Sequence, residues 1–219
     1  MNLTMDSQAG DVKRKRSYDA SRRRAQARRN HARIVESAEL LFRRDGYAAT
    51  TITAIAGEAG VSVDTIYKSF GGKAGLVRAI RTRALEGEGP VHAEKRSDEL
   101  HQRESDPRAI IQAWGALSAE VAPRVSPILL LIRDAAATNP EGRTLLEEMD
   151  ADRLRRMTHN ARRLRDAGHL RGGITLAQAA DVLWAFSSPE LYELLVHRRG
   201  WTPKRYGRFI ADAMIHALL

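Results

Sequence analysis

The chain has 219 residues, of which 43% are hydrophobic, 29% charged and only 5% aromatic. This length suits one compact domain with a small attached module, and the composition favours a helical protein over a β-sandwich. The chain contains no cysteine, which excludes disulfides, thiolate metal sites and cysteine nucleophiles.

The sequence shows no membrane span and no secretory signal. Its longest purely apolar run, Ile128 to Ile132, is far short of the ~20 residues that a span needs. The N-terminus is polar and basic and lacks the apolar core of a signal peptide. We therefore expect a cytoplasmic protein without a membrane partner.

Positive charge is concentrated at the N-terminus. The net charge is +9, and residues 1–29 carry nine Lys or Arg against three Asp, or +6. Such an arm indicates a polyanionic partner, most simply nucleic acid, although a merely solvated tail is the alternative. Residues 1–26 lack apolar periodicity and are expected to be a disordered basic arm.

Residues 27–86 read as a small helical domain with a helix-turn-helix. A first helix carries apolar residues at helical spacing from Ile34 and ends at Gly46. Thr51 begins a short helix that runs to Ala59, and Ser62 begins a second. A third helix opens at Lys73 and runs to Glu86.

The helix-turn-helix itself meets specific requirements. Ala56 is small where the two helices must touch, and Gly60, four residues later, tolerates the turn between them. Apolar side chains that would anchor the pair are Ile52, Ile55, Val61 and Ile66.

After a polar linker over residues 87–106, capping residues followed by proline mark five helix starts: Asp106-Pro107, Ser126-Pro127, Asn139-Pro140, Ser188-Pro189 and Thr202-Pro203. The predicted helices cover 107–121, 127–138, 140–167, 176–187, 189–198 and 203–218. Residues 107–219 thus form a second helical domain. The expected fold is all-α, with about nine to ten helices in total.

The N-terminal region resembles the tetracycline repressor (TetR) family of regulators over about residues 30–80. The matching positions are Gly46, Tyr47, Thr50, Thr51, Ile52, Ile55, Ala56, Ala59, Gly60, Val61, Ser62, Thr65, Ile66, Tyr67, Phe70, Lys73 and Leu76. The resemblance implies a three-helix DNA-binding domain followed by a helical ligand-binding and dimerisation domain.

The resemblance also implies a set of DNA-binding residues. Thr51 and Ser62 would cap helices and touch phosphate, and Lys73 would meet phosphate at a helix N-terminus. The full set is Thr51, Ser62, Asp64, Thr65, Tyr67, Lys68, Ser69 and Lys73. Two residues depart from the family: Ser69 replaces a frequent histidine, and Gly72 replaces a better capping serine.

Apolar stripes on the C-terminal helices are interpreted as core that surrounds a ligand cavity, with plain core as the alternative for each residue. The candidates for ligand binding are Trp114, Leu117, Leu131, Met149, Met157 and Trp184. No cofactor, metal site or catalytic set is expected, because the seven histidines show no close ligand spacing.

The helices near the C-terminus are apolar over more than one face, which requires cover from more than one side. The resemblance implies that two of them form a four-helix dimer interface, with burial inside one chain as the alternative. The candidates are Leu183, Phe186, Phe209, Ile210, Ala213, Met214 and Ala217.

The sequence therefore predicts a homodimeric repressor that a small, largely apolar ligand releases from a double-stranded DNA operator. Three alternatives stay open: an architectural protein that binds DNA without sequence preference, an activator of the same fold, and a helical enzyme with an incidental helix-turn-helix. The residue inventory speaks against the enzyme, because it offers no acid–base or nucleophile set.

Overall fold

The computed structural model describes residues 7–87, 89 and 91–219, with side chains from residue 22 onward. Over these residues it contains ten α-helices and no strand, which confirms the all-α expectation. Their bounds are α1 Ser7–Asp45, α2 Ile52–Ala59, α3 Val63–Phe70, α4 Lys73–Glu86, α5 Ala93–Arg103, α6 Pro107–Ala136, α7 Pro140–Asp166, α8 Leu176–Phe186, α9 Pro189–Tyr192 and α10 Pro203–Leu218. A π-helical segment, Glu193–Arg198, continues α9.

Helix α1 corrects the predicted disordered arm, since it begins at Ser7 rather than near residue 27. Residues 1–6 lie outside the described residues, as do the side chains of 7–21. The extension is rich in alanine and arginine, both strong helix formers. Gln26 also donates to Asn30 at 2.9 Å along one helix face. Absence of apolar periodicity over these residues is thus compatible with a solvated helix.

Helices α1 to α4 form the N-terminal domain around a shared core that includes Ile34, Phe42, Ile55, Ile66 and Leu76. Helix α4 crosses α3 very closely at Gly75, where an added Cβ would lie 1.7 Å from the Phe70 carbonyl oxygen. The core continues into α6 and α7 through buried Ile128, Ile132, Leu145 and Met149. The two predicted domains thus share one apolar contact region.

Two elements differ from the sequence expectation between residues 87 and 136. The predicted linker contains α5, whose start is capped by His92: its Nδ1 accepts from the Glu94 backbone N–H at 3.4 Å. Arg96 of this helix binds Glu120 of α6 at 2.8 Å. The sequence did not predict α5 because its composition is polar: ion pairs, rather than a broad apolar face, attach this helix to α6.

Helix α6 runs unbroken through Pro123 and Pro127, so the helix start predicted at Ser126-Pro127 is wrong. Each proline removes a backbone hydrogen bond. The helix nevertheless continues because it packs in two cores, through Ile110 and Trp114 at one end and Ile132 at the other. This helix is long and apolar enough to cross a membrane by length and composition alone. Its packing against α4, α7 and α10 accounts for that character.

The other four predicted starts carry their expected caps. The side chains of Asp106, Asn139, Ser188 and Thr202 each accept a hydrogen bond from a backbone N–H in the first turn of the helix that follows. These helices therefore begin where local capping chemistry predicts.

Candidate nucleic-acid interface and ligand cavity

The α2–α3 unit is fixed by its own caps and turn. Thr51 accepts from the Ala54 N–H at 3.1 Å, and Ser62 accepts from the Thr65 N–H at 3.2 Å. Gly60 lies between the helices with φ +61°, in the left-handed region that favours glycine. Both capping hydroxyls are thus held at helix starts that remain exposed to solvent.

The outward face of α3 is polar and accessible. Tyr67 is 54% exposed, and Ser69 is exposed beside it. Asp64 and Lys68 form an exposed ion pair at 2.7 Å, so the carboxylate orients the lysine. Thr65 is half-buried, and its hydroxyl lies 2.8 Å from that of Ser62. The structure thus brings these predicted DNA-binding residues onto one short helix.

Lys73 does not share this free surface. Its Nζ donates to the Tyr47 carbonyl oxygen at 2.6 Å and lies 4.3 Å from the centre of the Tyr47 ring. Burial lowers the pKa of this ammonium group. Lys73 therefore attaches the start of α4 to the turn after α1, and phosphate contact by its side chain would need this contact to open.

Sequence analysis missed a contact between α1 and α3. The exposed ring of His31 lies against Phe70, with centroids 4.6 Å apart. Arg24 and Arg28 are seven and three residues before His31 and share its helix face. The pairing of a residue on α1 with the end of α3 had no local sequence signal, since it depends on how the two helices pack.

A cavity of about 170 Å³ lies between α4, α5, α6, α7, α8 and α10. Trp114, Leu117 and Met157 line it, as the sequence predicted. Helix α5 adds Ser97 and α7 adds Asn160, and neither was selected as a binding residue from sequence. Most of the cavity surface is apolar.

The three remaining ligand-binding candidates do not line this cavity. Leu131 and Met149 belong to the core that joins the N-terminal domain to α6 and α7. Trp184 stacks on the guanidinium of Arg153, at 4.3 Å, and its backbone oxygen accepts from the same group. Helical periodicity identified these residues as inward-facing but could not distinguish a cavity wall from solid core.

Three arginines border the cavity, and each has a carboxylate partner. Arg156 binds Asp98 of α5 at 2.8 Å, and Arg81 of α4 binds Asp152 of α7 at 3.2 Å. Arg153 contacts Asp150 at 3.2 Å. Among the described residues, no group of histidine, aspartate and glutamate side chains could hold a metal ion.

Helix α4 connects this cavity to the helix-turn-helix. Its C-terminal half contributes Arg81 and Leu85 to the cavity wall. Its middle is tied to α7 by Arg78, which binds Glu148 through two hydrogen bonds. Its N-terminal half packs in the core beneath α3. Helix α4 therefore packs against the helix-turn-helix at one end and lines the cavity at the other.

The predicted dimer residues divide between two faces. Leu183, Ile210 and Met214 are buried within the chain and line the cavity, as does half-buried Phe186. Phe209 is 40% exposed, and Ala213 and Ala217 follow it at four-residue spacing on α10. The assignment of Leu183, Ile210 and Met214 to an interface is corrected, because an apolar helix face does not show whether its partner is in the same chain. Phe186 of α8 is half-buried and stays a candidate.

Comparisons with known proteins agree with this architecture. Residues 34–80 match the family model described as bacterial regulatory proteins, tetR family. The SmeT–triclosan complex is similar with 24% identity over 87% of this chain and 91% of the other, at a TM-score of 0.63. NalD of Pseudomonas aeruginosa, the secondary repressor of the MexAB-OprM multidrug efflux pump, shows 19% identity over 88% and 98%, at 0.67.

FadR from Bacillus subtilis, in complex with stearoyl-CoA, shows 15% identity over 86% of this chain and 100% of the other, at a TM-score of 0.66. Identities at this level establish the shared fold. No curated protein sequence matches the chain.

The fold and the N-terminal site define a DNA-binding transcription regulator: a helix-turn-helix domain on a larger helical domain. Residues 34–80 thus match the N-terminal domain of bacterial regulatory proteins of the tetR family, as the sequence resemblance predicted.

Proposed function

We propose that the protein is a cytoplasmic, homodimeric repressor that binds a specific DNA operator through α3 and leaves it when a small molecule occupies the cavity. The observation that carries the proposal is the position of α4. One end of this helix packs beneath the exposed face of α3, and the other contributes Arg81 and Leu85 to the cavity wall. We propose no catalytic role for the protein.

DNA binding would use the exposed face of α3 in the major groove, with the two copies in a dimer ~34 Å apart on a pseudo-palindromic site. Ligand release requires that the effector bind the DNA-free arrangement more tightly than the DNA-bound one. SmeT and FadR, as complexes with triclosan and stearoyl-CoA, support a ligand role for this kind of helical domain.

The α3 assignment is tested with the double variant Tyr67→Ala and Lys68→Ala. Both side chains are exposed, so the variant is expected to fold. Base and phosphate contacts contribute about 1–3 kcal/mol each, and operator affinity should fall at least about thirtyfold. Fluorescence anisotropy on a duplex obtained by binding-site selection measures the change.

The matched control is Lys204→Ala, which removes an exposed lysine from α10 and should leave affinity unchanged. Operator binding by the double variant at the level of the unmodified protein would exclude α3 as the recognition helix.

Dimerisation is proposed through the outward face of α10 together with α8. Phe209 is stacked edge-on with Trp201 at 5.4 Å and is 40% exposed, and the small side chains of Ala213 and Ala217 permit close helix approach. Phe209→Glu should yield a monomer in analytical ultracentrifugation, because it would bury a charge at the interface.

Leu154→Glu is the control for that variant, since Leu154 is also 40% exposed but lies on α7. It should remain dimeric. A dimeric Phe209→Glu variant would place the interface elsewhere.

The basic N-terminal helix favours a second candidate, an architectural protein that binds DNA without sequence preference. Competition with random duplex separates the two, because a specific regulator keeps its operator when random DNA is in excess.

Activation instead of repression would depend on where the operator lies. Transcription from the target promoter, measured with and without the protein, shows which of the two occurs.

A further inference from the structure

Three buried polar side-chain atoms, on residues that line the cavity, have no hydrogen-bond partner among the described residues. They are Ser97 Oγ, Trp114 Nε1 and Asn160 Oδ1, and their residues are only 4%, 6% and 5% exposed. All three residues line the same cavity. Buried polar groups in native proteins are nearly always hydrogen-bonded, so three in one cavity indicate a ligand that completes them.

The contacts between helices bring the three groups together, although they lie on α5, α6 and α7. Asp98, next to Ser97, binds Arg156 of α7, one turn before Asn160. His101, one turn after Ser97, stacks edge-on against Trp114 of α6 at 5.2 Å. The three residues therefore lie on helices that contact one another, and we call the part of the cavity wall that they form the polar end.

The chemistry of the polar end selects one kind of group. The indole N–H of Trp114 can only donate, the Asn160 amide oxygen can only accept, and the Ser97 hydroxyl can do either. A hydroxyl on the ligand both accepts and donates, and can serve all of them. It also serves if the amide of Asn160 is rotated so that its nitrogen faces the cavity.

An anionic ligand fits this cavity poorly. The three arginines at its border are already bound to Asp98, Asp150 and Asp152, and Glu94 adds a negative charge to the wall. A carboxylate also has no hydrogen to give to the amide oxygen of Asn160. The remaining wall, including Leu117, Val121 and Val125, is apolar.

We infer that the cavity takes an uncharged, mainly apolar molecule that carries a hydroxyl group bound by Ser97, Trp114 and Asn160. A volume of about 170 Å³ suits a single substituted ring, since a cavity of roughly 150 Å³ holds benzene. This inference rests on the proposed function, in which the cavity holds the effector.

Three probes of similar shape test the inference on the full chain by isothermal titration calorimetry: 4-propylphenol, propylbenzene and 4-propylbenzoate. The phenol should bind at least tenfold more tightly than propylbenzene, and the benzoate should bind more weakly than the phenol. Equal affinities for phenol and propylbenzene, or tighter binding of the benzoate, would overturn the inference.

Single-residue variants test which side chains bind the hydroxyl group of the phenol. Asn160→Leu and Ser97→Ala should each lower phenol affinity by about threefold to tenfold and leave propylbenzene affinity within twofold. Ser118→Ala is the matched control, because Ser118 lines the cavity but is not one of the buried unpartnered groups. Unchanged phenol affinity in both variants contradicts the assignment, and thermal melting confirms that each variant is folded.

Operator binding is followed separately by anisotropy with each probe present. If the phenol is preferred but the operator stays bound, the ligand class is supported and ligand-induced release fails. If the chain binds its operator but shows no preference for the phenol, DNA binding stands and the ligand class fails.

Discussion

At the scale of single residues, His101, which stacks against Trp114, makes the stability of the chain depend on pH. Burial beside Trp114 lowers the pKa of its imidazole to about 4, against an ordinary value of 6.5. Between pH 4 and pH 6.5 the imidazole of His101 is protonated in the unfolded chain but neutral in the folded one. The free energy of unfolding is therefore highest above pH 6.5 and falls as the pH drops. About 1 kcal/mol should be lost at pH 5 after allowance for solvent screening.

Urea denaturation at pH 7.5 and pH 5 measures this loss for the protein and for His101→Gln, in which it should be absent. His216→Gln, at an exposed position on α10, controls for general effects of losing a histidine. An equal pH dependence in the protein and in His101→Gln would rule out His101 as its source.

Local chemistry decided which single residues could be predicted. Thr51, Ser62 and Tyr67 were recognised because caps and exposed recognition residues follow a short motif. Ser97 and Asn160 were not, because a serine or asparagine in a polar stretch gains meaning only when another helix buries it. The contact of Lys73 with Tyr47 was not predicted for the same reason, since the two residues are 26 positions apart.

At the scale of elements, helix starts were predictable and helix interiors were not. Asp106, Asn139, Ser188 and Thr202 satisfy backbone N–H groups within their own first turn, so their effect is local. Ser126-Pro127 has the same pattern inside α6, where packing at both ends of the helix outweighs the broken hydrogen bonds. The inward and outward faces of α10 could not be separated for a similar reason.

The crossing of α6 and α10 gives a prediction at this scale. Gly115 and Gly207 face each other, and an added Cβ at either would lie 2.4 Å from the other's carbonyl oxygen. Gly207→Ala should therefore force the helices apart and lower the free energy of unfolding by about 1–3 kcal/mol, measured by urea denaturation.

Gly57→Ala provides the contrast, since Gly57 is also helical but has no atom within 4 Å of the added Cβ. Alanine should there stabilise the chain by about 0.5–1 kcal/mol. Equal effects of the two substitutions would show that the α6–α10 contact is not tight.

At the scale of the whole molecule, the basic end of α1 is the part most dependent on a partner. Residues 13–29 of this helix contain nine Lys or Arg against one Asp, so like charges repel one another along the helix. DNA phosphates would relieve this repulsion, and His31 directs the same helix face toward α3. We therefore predict that Arg24 and Arg28 contact phosphate.

Arg24→Gln with Arg28→Gln should reduce the slope of log affinity against log salt by about 1–2, because each lost phosphate contact removes about 0.9 released counterions. Arg43→Gln with Arg44→Gln removes the same charge from the other end of α1, where both arginines already bind carboxylates, and should change the slope less. Operator affinity of both double variants is measured by anisotropy from 50 to 300 mM salt. A local phosphate contact would lower the slope mainly for Arg24→Gln with Arg28→Gln, whereas a simple effect of net charge would give both variants the same slope. In that case the α1 extension would act only through the overall field of the protein.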